Sequence, residues 1–338
     1  MLRLPPFTYR GARTVGDALT YLGDAGPDTM LVAGGTDLYP NLKRRQFEPK
    51  VLVGLSGIRE LDGVRGSADA GFVIGALTTL RRVAEHPGLR AAFPALGTAA
   101  GLVSSPQLRN MGTIGGNVCV DTRCNYYNQT QQWRKAIGFC LKKDGDVCLV
   151  APGSPRCWAV SSSDTAPVLW SLGATARLCG PGGERLIPVA ALFQDDGIAY
   201  LAKRPDEILT ELRLPPAPGT RCAYLKLRRR GSFDFPVLGV AVALQMEGAV
   251  VRAGTIVLGA VASQPREAPA AAALLAGQRL TPGLIAAVAV LAARPSKPLD
   301  NTDLTHPYRK QMTRVFVARA LRRLAGLPES PRDEEEVA

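Results

Sequence analysis

The stretch that decides the fold is Gln107-Leu-Arg-Asn-Met-Gly-Thr-Ile-Gly-Gly-Asn117, in which three glycines lie close together. A related run occurs upstream, where a short apolar strand predicted over residues 28–33 leads into Gly34-Gly35-Thr36-Asp37. Glycine allows close approach of the backbone to a ligand, and successive N–H groups in such turns bind phosphate. The run Gly34-Gly35-Thr36-Asp37 alone is also typical of an ordinary tight turn. Two such runs in one chain favour a cofactor that carries a diphosphate.

Neither glycine run has the spacing of the common nucleotide-binding motifs. The patterns G-x-G-x-x-G and G-x-x-x-x-G-K-[ST] do not occur in the chain. Neither a Rossmann site nor a P-loop is therefore indicated.

The order of apolar and turn segments predicts two α+β units. Thr14 is expected to cap an amphipathic helix, and short strands and helices alternate up to residue 217. A Pro/Gly-rich linker follows, and then strands at 237–246, 250–253 and 256–262 precede a basic helix at 308–324. We expect a first domain over 1–217, divided into 1–52 and 53–217, and a second domain over 218–326. Residues 327–338 are predicted to form a disordered acidic tail.

Four of the seven cysteines lie in a segment with little periodicity, residues 121–162. Cys124, Cys140, Cys148 and Cys157 lack the C-x2-4-C spacing of most zinc sites. Four thiolates also suit a [4Fe–4S] cluster, and free buried thiols remain a third alternative. Cys119, Cys179 and Cys222 lie in apolar, strand-like contexts and are predicted to be small core residues.

Composition excludes several classes of function. The 338 residues carry a net charge of +12, but the basic residues are scattered, so we expect no nucleic-acid binding. No apolar run reaches the ~18 residues of a membrane span, and the N-terminus lacks a secretory core, so we expect a cytoplasmic protein. The two histidines, His86 and His306, lie outside every motif, which disfavours hydrolytic chemistry. No catalytic residue is assigned.

Six motifs together resemble the FAD-binding subunits of molybdenum hydroxylases, the group that includes xanthine dehydrogenase and CO dehydrogenase. They are LVAGGTDL (31–38), IGALT (74–78), QLRNMGTIGGN (107–117), SDTAPVL (163–169), YLKLR (224–228) and GAVASQPR (259–266). The resemblance implies a two-part FAD-binding fold of the PCMH type, followed by a small α+β domain of the CO dehydrogenase flavoprotein type. It also implies non-covalent FAD held by Leu31, Val32, Ala33, Gly34, Gly35, Thr36, Asp37, Leu38, Val103, Gly112, Thr113, Gly115, Gly116, Asn117, Asp164, Leu209 and Lys226.

The cysteine-bearing insert resembles that of the β subunit of 4-hydroxybenzoyl-CoA reductase. This resemblance implies that Cys124, Cys140, Cys148 and Cys157 ligate a [4Fe–4S] cluster. It further implies a molybdopterin subunit and a [2Fe–2S] subunit as partners, in a hetero-oligomer such as a dimer of heterotrimers. Electrons from ferredoxin would then drive reductive dehydroxylation of an aromatic acyl-CoA. Two alternatives are an oxidative hydroxylase acting on an aromatic or N-heterocycle, and a zinc-stapled interaction protein without redox activity.

Basic residues outnumber acidic ones in the insert. Between residues 122 and 157 there are six lysines and arginines and two aspartates. Part of this charge would offset a negative cluster. We expect the rest, chiefly Lys142 and Lys143, to be exposed and to steer an acidic ferredoxin towards the cluster.

Overall fold

Three β-sheets organise residues 3–328, the part of the chain that the computed structural model describes. The first sheet is parallel, with the order β1-β3-β2 for β1 (Thr8–Gly11), β2 (Thr29–Val32) and β3 (Val51–Gly54). Helix α1 (Val15–Ala25) connects the first two strands, and α2 (Leu38–Lys43) follows β2. Thr14 caps α1 as predicted, because it forms a reciprocal capping box with Asp17. A boundary near residue 52 would divide β3, so the first sheet ends after residue 54.

The second sheet is antiparallel, with the order β4-β5-β8-β6-β7. Its strands are β4 (Val64–Ser67), β5 (Gly71–Gly75), β6 (Thr175–Gly180), β7 (Gly183–Pro188) and β8 (Ile208–Leu214). The long connection from β5 to β6 contains α3 (Leu80–Glu85), α4 (Pro87–Ala92), α5 (Pro94–Gly101), α6 (Pro106–Arg109), α7 (Ile114–Val118), α8 (Gln131–Ala136) and α9 (Thr165–Ser171). Three of these helices begin at a proline, whose missing N–H costs nothing in the first turn.

The third sheet is built on a long antiparallel meander. Its strands are β9 (Thr220–Leu227), β10 (Leu238–Glu247), β11 (Val250–Gly259), β12 (Arg266–Glu267) and β13 (Gln278–Arg279). Helices α10 (Pro269–Leu275), α11 (Pro282–Ala292) and α12 (His306–Ala325) follow. The two strands predicted at 250–253 and 256–262 are one strand, because Gly254 and Thr255 continue the pairing with β10.

Strand β10 joins two of the hydrophobic cores of the molecule. Val240 and Val242 point into a core shared with α10, α11 and α12, whereas Ala241 and Ala243 point into the core of the second sheet. This is the period of two expected of a strand that is buried on both faces. The predicted α+β fold class is confirmed. Residues 3–328 contain no helix long and apolar enough to cross a bilayer.

Arg309 is a fully buried cation that fastens α12 to the third sheet. Its guanidinium donates to the carbonyl oxygens of Val237 (2.9 Å), Leu299 (2.9 Å) and Ala260 (2.5 Å), and burial lowers its pKa to about 10. We expect Arg309→Met to lower the free energy of unfolding by about 3 kcal/mol, since three buried acceptors lose their donor. Lys310→Met, at an exposed position of the same helix, should change it by less than about 0.5 kcal/mol. Urea denaturation compares the two, and equal midpoints would contradict the expectation.

Candidate functional site

A cavity of about 460 Å³ is lined by both glycine motifs. The motifs touch directly, because a Cβ on Gly34 would overlap the carbonyl oxygen of Met111 and lie 3.1 Å from the Cα of Gly112. Gly35 has φ +68°, a left-handed conformation that favours glycine. A Cβ on Gly115 would lie 2.7 Å from that of Ala76. The glycines therefore bring β2, α7 and the end of β5 together around one cavity, with backbone rather than side chains at its wall.

The structure brings the predicted flavin-site residues together. All of them except Lys226 line this cavity. Two buried oxygens in its lining, Thr29 Oγ1 and Asp121 Oδ2, have no hydrogen-bond partner. The residues present therefore fit a large polar cofactor, which would satisfy such groups. That these residues bind FAD stays a prediction.

Lys226 supports the cavity from behind. Its ammonium donates to Asp164 Oδ2 at 2.9 Å and to the carbonyl oxygen of Leu102 at 3.1 Å, and Tyr224 donates to Asp164 Oδ1 at 2.8 Å. Burial raises the pKa of Asp164 and lowers the pKa of Lys226, while their mutual attraction opposes both shifts. Because β9 supplies Tyr224 and Lys226, this pair connects the cavity wall to the third sheet.

Asn117 has a structural task that its motif did not reveal. Its side-chain oxygen accepts hydrogen bonds from the hydroxyls of Ser163 (2.9 Å) and Thr165 (2.7 Å) and from the N–H of Thr165 (3.2 Å). The amide therefore holds the SDTAPVL motif against α7, and with it the position of Asp164.

Several residues of the cavity were missed from the sequence. Tyr200 and Lys203 line it from the loop before β8, and Phe233 and Phe235 line it from the loop between β9 and β10. Burial lowers the pKa of Lys203, whose ammonium donates to the carbonyl oxygens of Arg204 and Glu207 at 2.8 Å each. No periodicity or motif marks these positions, because only the folding of two loops back onto the cavity brings them to the site.

Glu207 holds the segment that leads from Lys203 into β8. Its carboxylate accepts from Arg185 at 2.7 and 2.8 Å and from the N–H of Arg204 at 2.7 Å. The Arg185 hydrogen bonds lower the pKa of Glu207 from 4.5 to about 2. A depressed pKa stabilises the fold above pH 4.5, and this stabilisation is lost as pH falls towards 2.

We therefore expect Glu207→Gln to destabilise the protein by about 2 kcal/mol at pH 7, a figure reduced for solvent screening of the partly exposed Arg185. The difference from the unsubstituted protein should shrink between pH 4.5 and 2. Denaturant titrations at several pH values measure it. A constant difference over that window would show that the carboxylate charge is not responsible.

The insert is tied down by its ends and by its middle. Arg123 and Val160 exchange backbone hydrogen bonds at 2.8 and 2.7 Å, which closes the segment. The fully buried Arg134 donates to the carbonyl oxygens of Arg44 and Arg45 at 2.9 Å each. The insert, which has little sequence periodicity, is thus ordered by contacts with the residues at the end of α2.

The four predicted cluster ligands line one small cavity of about 10 Å³, roughly the space of one water molecule. Burial raises the pKa of Cys124 to about 12 and that of Cys157 to about 11. A Cβ on Gly197 would lie 2.6 Å from the sulfur of Cys157, so only glycine fits there. Within residues 3–328, no group of three or more His, Cys, Asp or Glu side chains is arranged to hold a metal ion. The four thiols are gathered around one cavity without forming such a group.

The expectation that Lys142 is exposed is wrong. Its side chain is 6% exposed and its ammonium donates to Asp121 Oδ1 at 2.7 Å. Of the other basic residues, Arg123 pairs with Asp37, Arg134 is buried, and Arg156 pairs with Asp195. Lys135 is exposed, whereas Lys143, which was also expected to be exposed, is half-buried and contacts Asp144 at 3.1 Å. Most of the insert's positive charge therefore balances internal carboxylates instead of forming a steering surface.

Comparison with known proteins gives two family matches. Residues 5–217 match the FAD binding domain in molybdopterin dehydrogenase, and residues 222–324 match the CO dehydrogenase flavoprotein C-terminal domain. The carbon monoxide dehydrogenase medium chain of Afipia carboxidovorans is 32% identical, with 94% of this chain and 96% of that protein covered. The aldehyde oxidoreductase FAD-binding subunit of Escherichia coli is 31% identical, with 80% and 86% covered.

Solved structures agree with this assignment. The reconstituted CO dehydrogenase from Oligotropha carboxidovorans superimposes with a TM-score of 0.79 at 29% identity, covering 96% of this chain and all of that one (100%). Quinoline 2-oxidoreductase from Pseudomonas putida 86, at 22% identity and a TM-score of 0.75, shares the fold. From the two domain matches and the motifs around the cavity, the chain belongs to the FAD-binding subunits of the molybdenum hydroxylase family.

Proposed function

We propose that this chain is the flavoprotein subunit of an oxidative molybdenum hydroxylase and passes electrons from a molybdenum centre to an acceptor. The observation that carries the proposal is the cavity on which both glycine motifs converge. The relatives' names support the oxidative direction, since they are dehydrogenases and oxidoreductases of carbon monoxide, aldehydes and xanthine. The oxidative alternative therefore has better support than the reductive reaction expected from the insert.

FAD exchanges one or two electrons, which allows it to connect one-electron centres with two-electron chemistry. The chain's own residues would hold it: the backbone of residues 34–37 and 112–117 would bind the diphosphate, and the apolar side chains of Leu31, Val103 and Leu209 would shield the cofactor from water. The Asp164–Lys226 pair fixes the far wall. We propose that residues 1–217 form the flavin domain and 218–326 the second domain, and that subunits carrying molybdopterin and [2Fe–2S] clusters complete the enzyme.

A second candidate is favoured by the insert. Four thiols line one cavity whose other walls are largely apolar, among them Leu141, Leu149 and Val150. Thiolate donors in such surroundings are those of a [4Fe–4S] cluster. With this cluster the chain would resemble the 4-hydroxybenzoyl-CoA reductase subunit, and ferredoxin would deliver electrons for reductive dehydroxylation of an aromatic acyl-CoA. The third alternative, a zinc-stapled interaction protein without redox activity, is inconsistent with a family of FAD-binding subunits.

The visible spectrum of the purified chain, with iron, sulfide and zinc analysis, tests the cofactors. We expect flavin absorption, about four iron atoms per chain, and complete release of the flavin on acid precipitation. Flavin that stays with the precipitate would show a covalent link, for which Cys119 and Tyr200 in the cavity lining are candidates. Protein without flavin would contradict the proposed function.

The direction of electron flow requires the whole complex with its partner subunits. An aldehyde or N-heterocycle, added without oxygen, should bleach the flavin absorption if the enzyme is oxidative. If the enzyme is a reductase, the flavin should instead be reduced by ferredoxin and reoxidised by an aromatic acyl-CoA. Bleaching only by reduced ferredoxin would replace the first candidate with the second.

A further inference from the structure

One lysine ammonium lies between two cavities. The flavin cavity is the one lined by the two glycine motifs, and the cysteine cavity is the small one lined by Cys124, Cys140, Cys148 and Cys157. Tyr200 and Asp121 line the flavin cavity, whereas Tyr127 and Lys142 line the cysteine cavity. The ammonium of Lys142 is 4.8 Å from the ring centroid of Tyr127 and 5.5 Å from that of Tyr200. The ammonium therefore lies in the wall between the two cavities, next to one aromatic ring from each lining.

The ammonium is fixed by three acceptors. It donates to Asp121 Oδ1 at 2.7 Å, to Thr122 Oγ1 at 2.6 Å and to the carbonyl oxygen of Gly197 at 2.6 Å. The side chains of Lys142 and Asp121 are only 6% and 8% exposed. Charges so little screened by water act strongly on their surroundings. The other carboxylate oxygen, Asp121 Oδ2, is buried without a partner.

The Lys142–Asp121 ion pair is oriented, with one charge at each cavity. Its positive member lines the cysteine cavity, and its negative member lines the flavin cavity. A positive charge beside a redox group stabilises the form that carries the extra electron, and a negative charge destabilises it. The two members therefore act with opposite signs.

We propose that Lys142 and Asp121 are positioning residues that set the reduction potentials of the two redox groups in opposite senses. Lys142 makes the iron–sulfur group easier to reduce, and Asp121 makes the flavin harder to reduce. The inference rests on the proposed cluster as well as on the proposed flavin. Transfer between the groups moves one electron, so that one is oxidised as the other is reduced, with no bond broken. The partner subunits or ferredoxin supply and accept that electron.

The test uses purified wild-type chain, Lys142→Met, Lys142→Arg and Asp121→Asn, with Lys143→Met as a control that removes a neighbouring, more exposed charge. Reductive titration followed by absorption and electron paramagnetic resonance gives both potentials, and each sample is analysed for iron and FAD. We expect Lys142→Met to shift the cluster's one-electron equilibrium about tenfold towards the oxidised form, or about 59 mV. Asp121→Asn should shift the flavin towards its reduced form. Lys142→Arg should stay within about threefold of wild type, and Lys143→Met within about twofold.

Three results would overturn the inference. They are an unchanged potential in Lys142→Met that retains its iron, shifts of the same sign in Lys142→Met and Asp121→Asn, and an equal shift in Lys143→Met. If Lys142→Met loses its iron, Asp121→Asn decides alone: a flavin that is no easier to reduce than in the wild type would overturn the inference. Wild-type protein without iron would instead refute the proposed cluster, and the flavin shift in Asp121→Asn would still be measured.

Discussion

Replacing any one of Cys124, Cys140, Cys148 and Cys157 with alanine is expected to lower bound iron and sulfide about tenfold. All four sulfurs belong to one cavity, and a four-iron cluster needs a thiolate on each iron. Iron and acid-labile sulfide, measured per chain after anaerobic purification, give the result. The absorption of the cluster should disappear together with the iron, while the flavin bands remain.

Cys119 is the matched control for this series. It lies five residues before Cys124, and burial raises the pKa of its thiol to about 11, as it does for Cys157. It lines the flavin cavity, however, and not the cysteine cavity. Cys119→Ala should therefore keep its iron. Loss of iron in Cys119→Ala, together with full iron in any of the four variants, would show that the ligands are assigned wrongly.

Gly34→Ala is expected to weaken FAD binding about 10- to 100-fold. The added Cβ would lie 2.6 Å from the carbonyl carbon of Met111, so that the two glycine motifs must separate. Overpacking of this kind costs about 1–3 kcal/mol, and it would act where the diphosphate is held. The FAD-to-protein ratio after desalting, and titration of the apoprotein with FAD, measure the loss.

Gly23→Ala is the control, because a Cβ there has no atom within 4 Å and the residue lies in α1. It should leave flavin content unchanged and stabilise the helix slightly, by about 0.5–1 kcal/mol. Far-ultraviolet circular dichroism of both variants separates loss of flavin from loss of fold. Full flavin content in Gly34→Ala would mean that contact between the motifs does not shape the site.

Local features were predicted well from the sequence because their causes are local. The N-cap at Thr14 was predicted from that residue and the apolar spacing after it, and the strand predicted at 237–246 is β10. The prediction of two separate strands at 250–253 and 256–262 failed at Gly254. Gly254 and Thr255, which the prediction left between the two strands, continue the pairing with β10.

The sequence by itself determined the α+β class, the two glycine runs and the four cysteines of the insert, since residue type and spacing carry these signals. Only the tertiary structure decided what the charges do. The excess of basic residues in the insert predicted that Lys142 belongs to an exposed steering surface. Lys142 is buried instead, because Asp121 and Gly197, which are distant in the chain, supply acceptors for its ammonium. Likewise, no motif places Tyr200 or Phe235 at the cavity. Burial and ion pairing depend on which segments the fold brings together, and spacing along the chain does not contain that information.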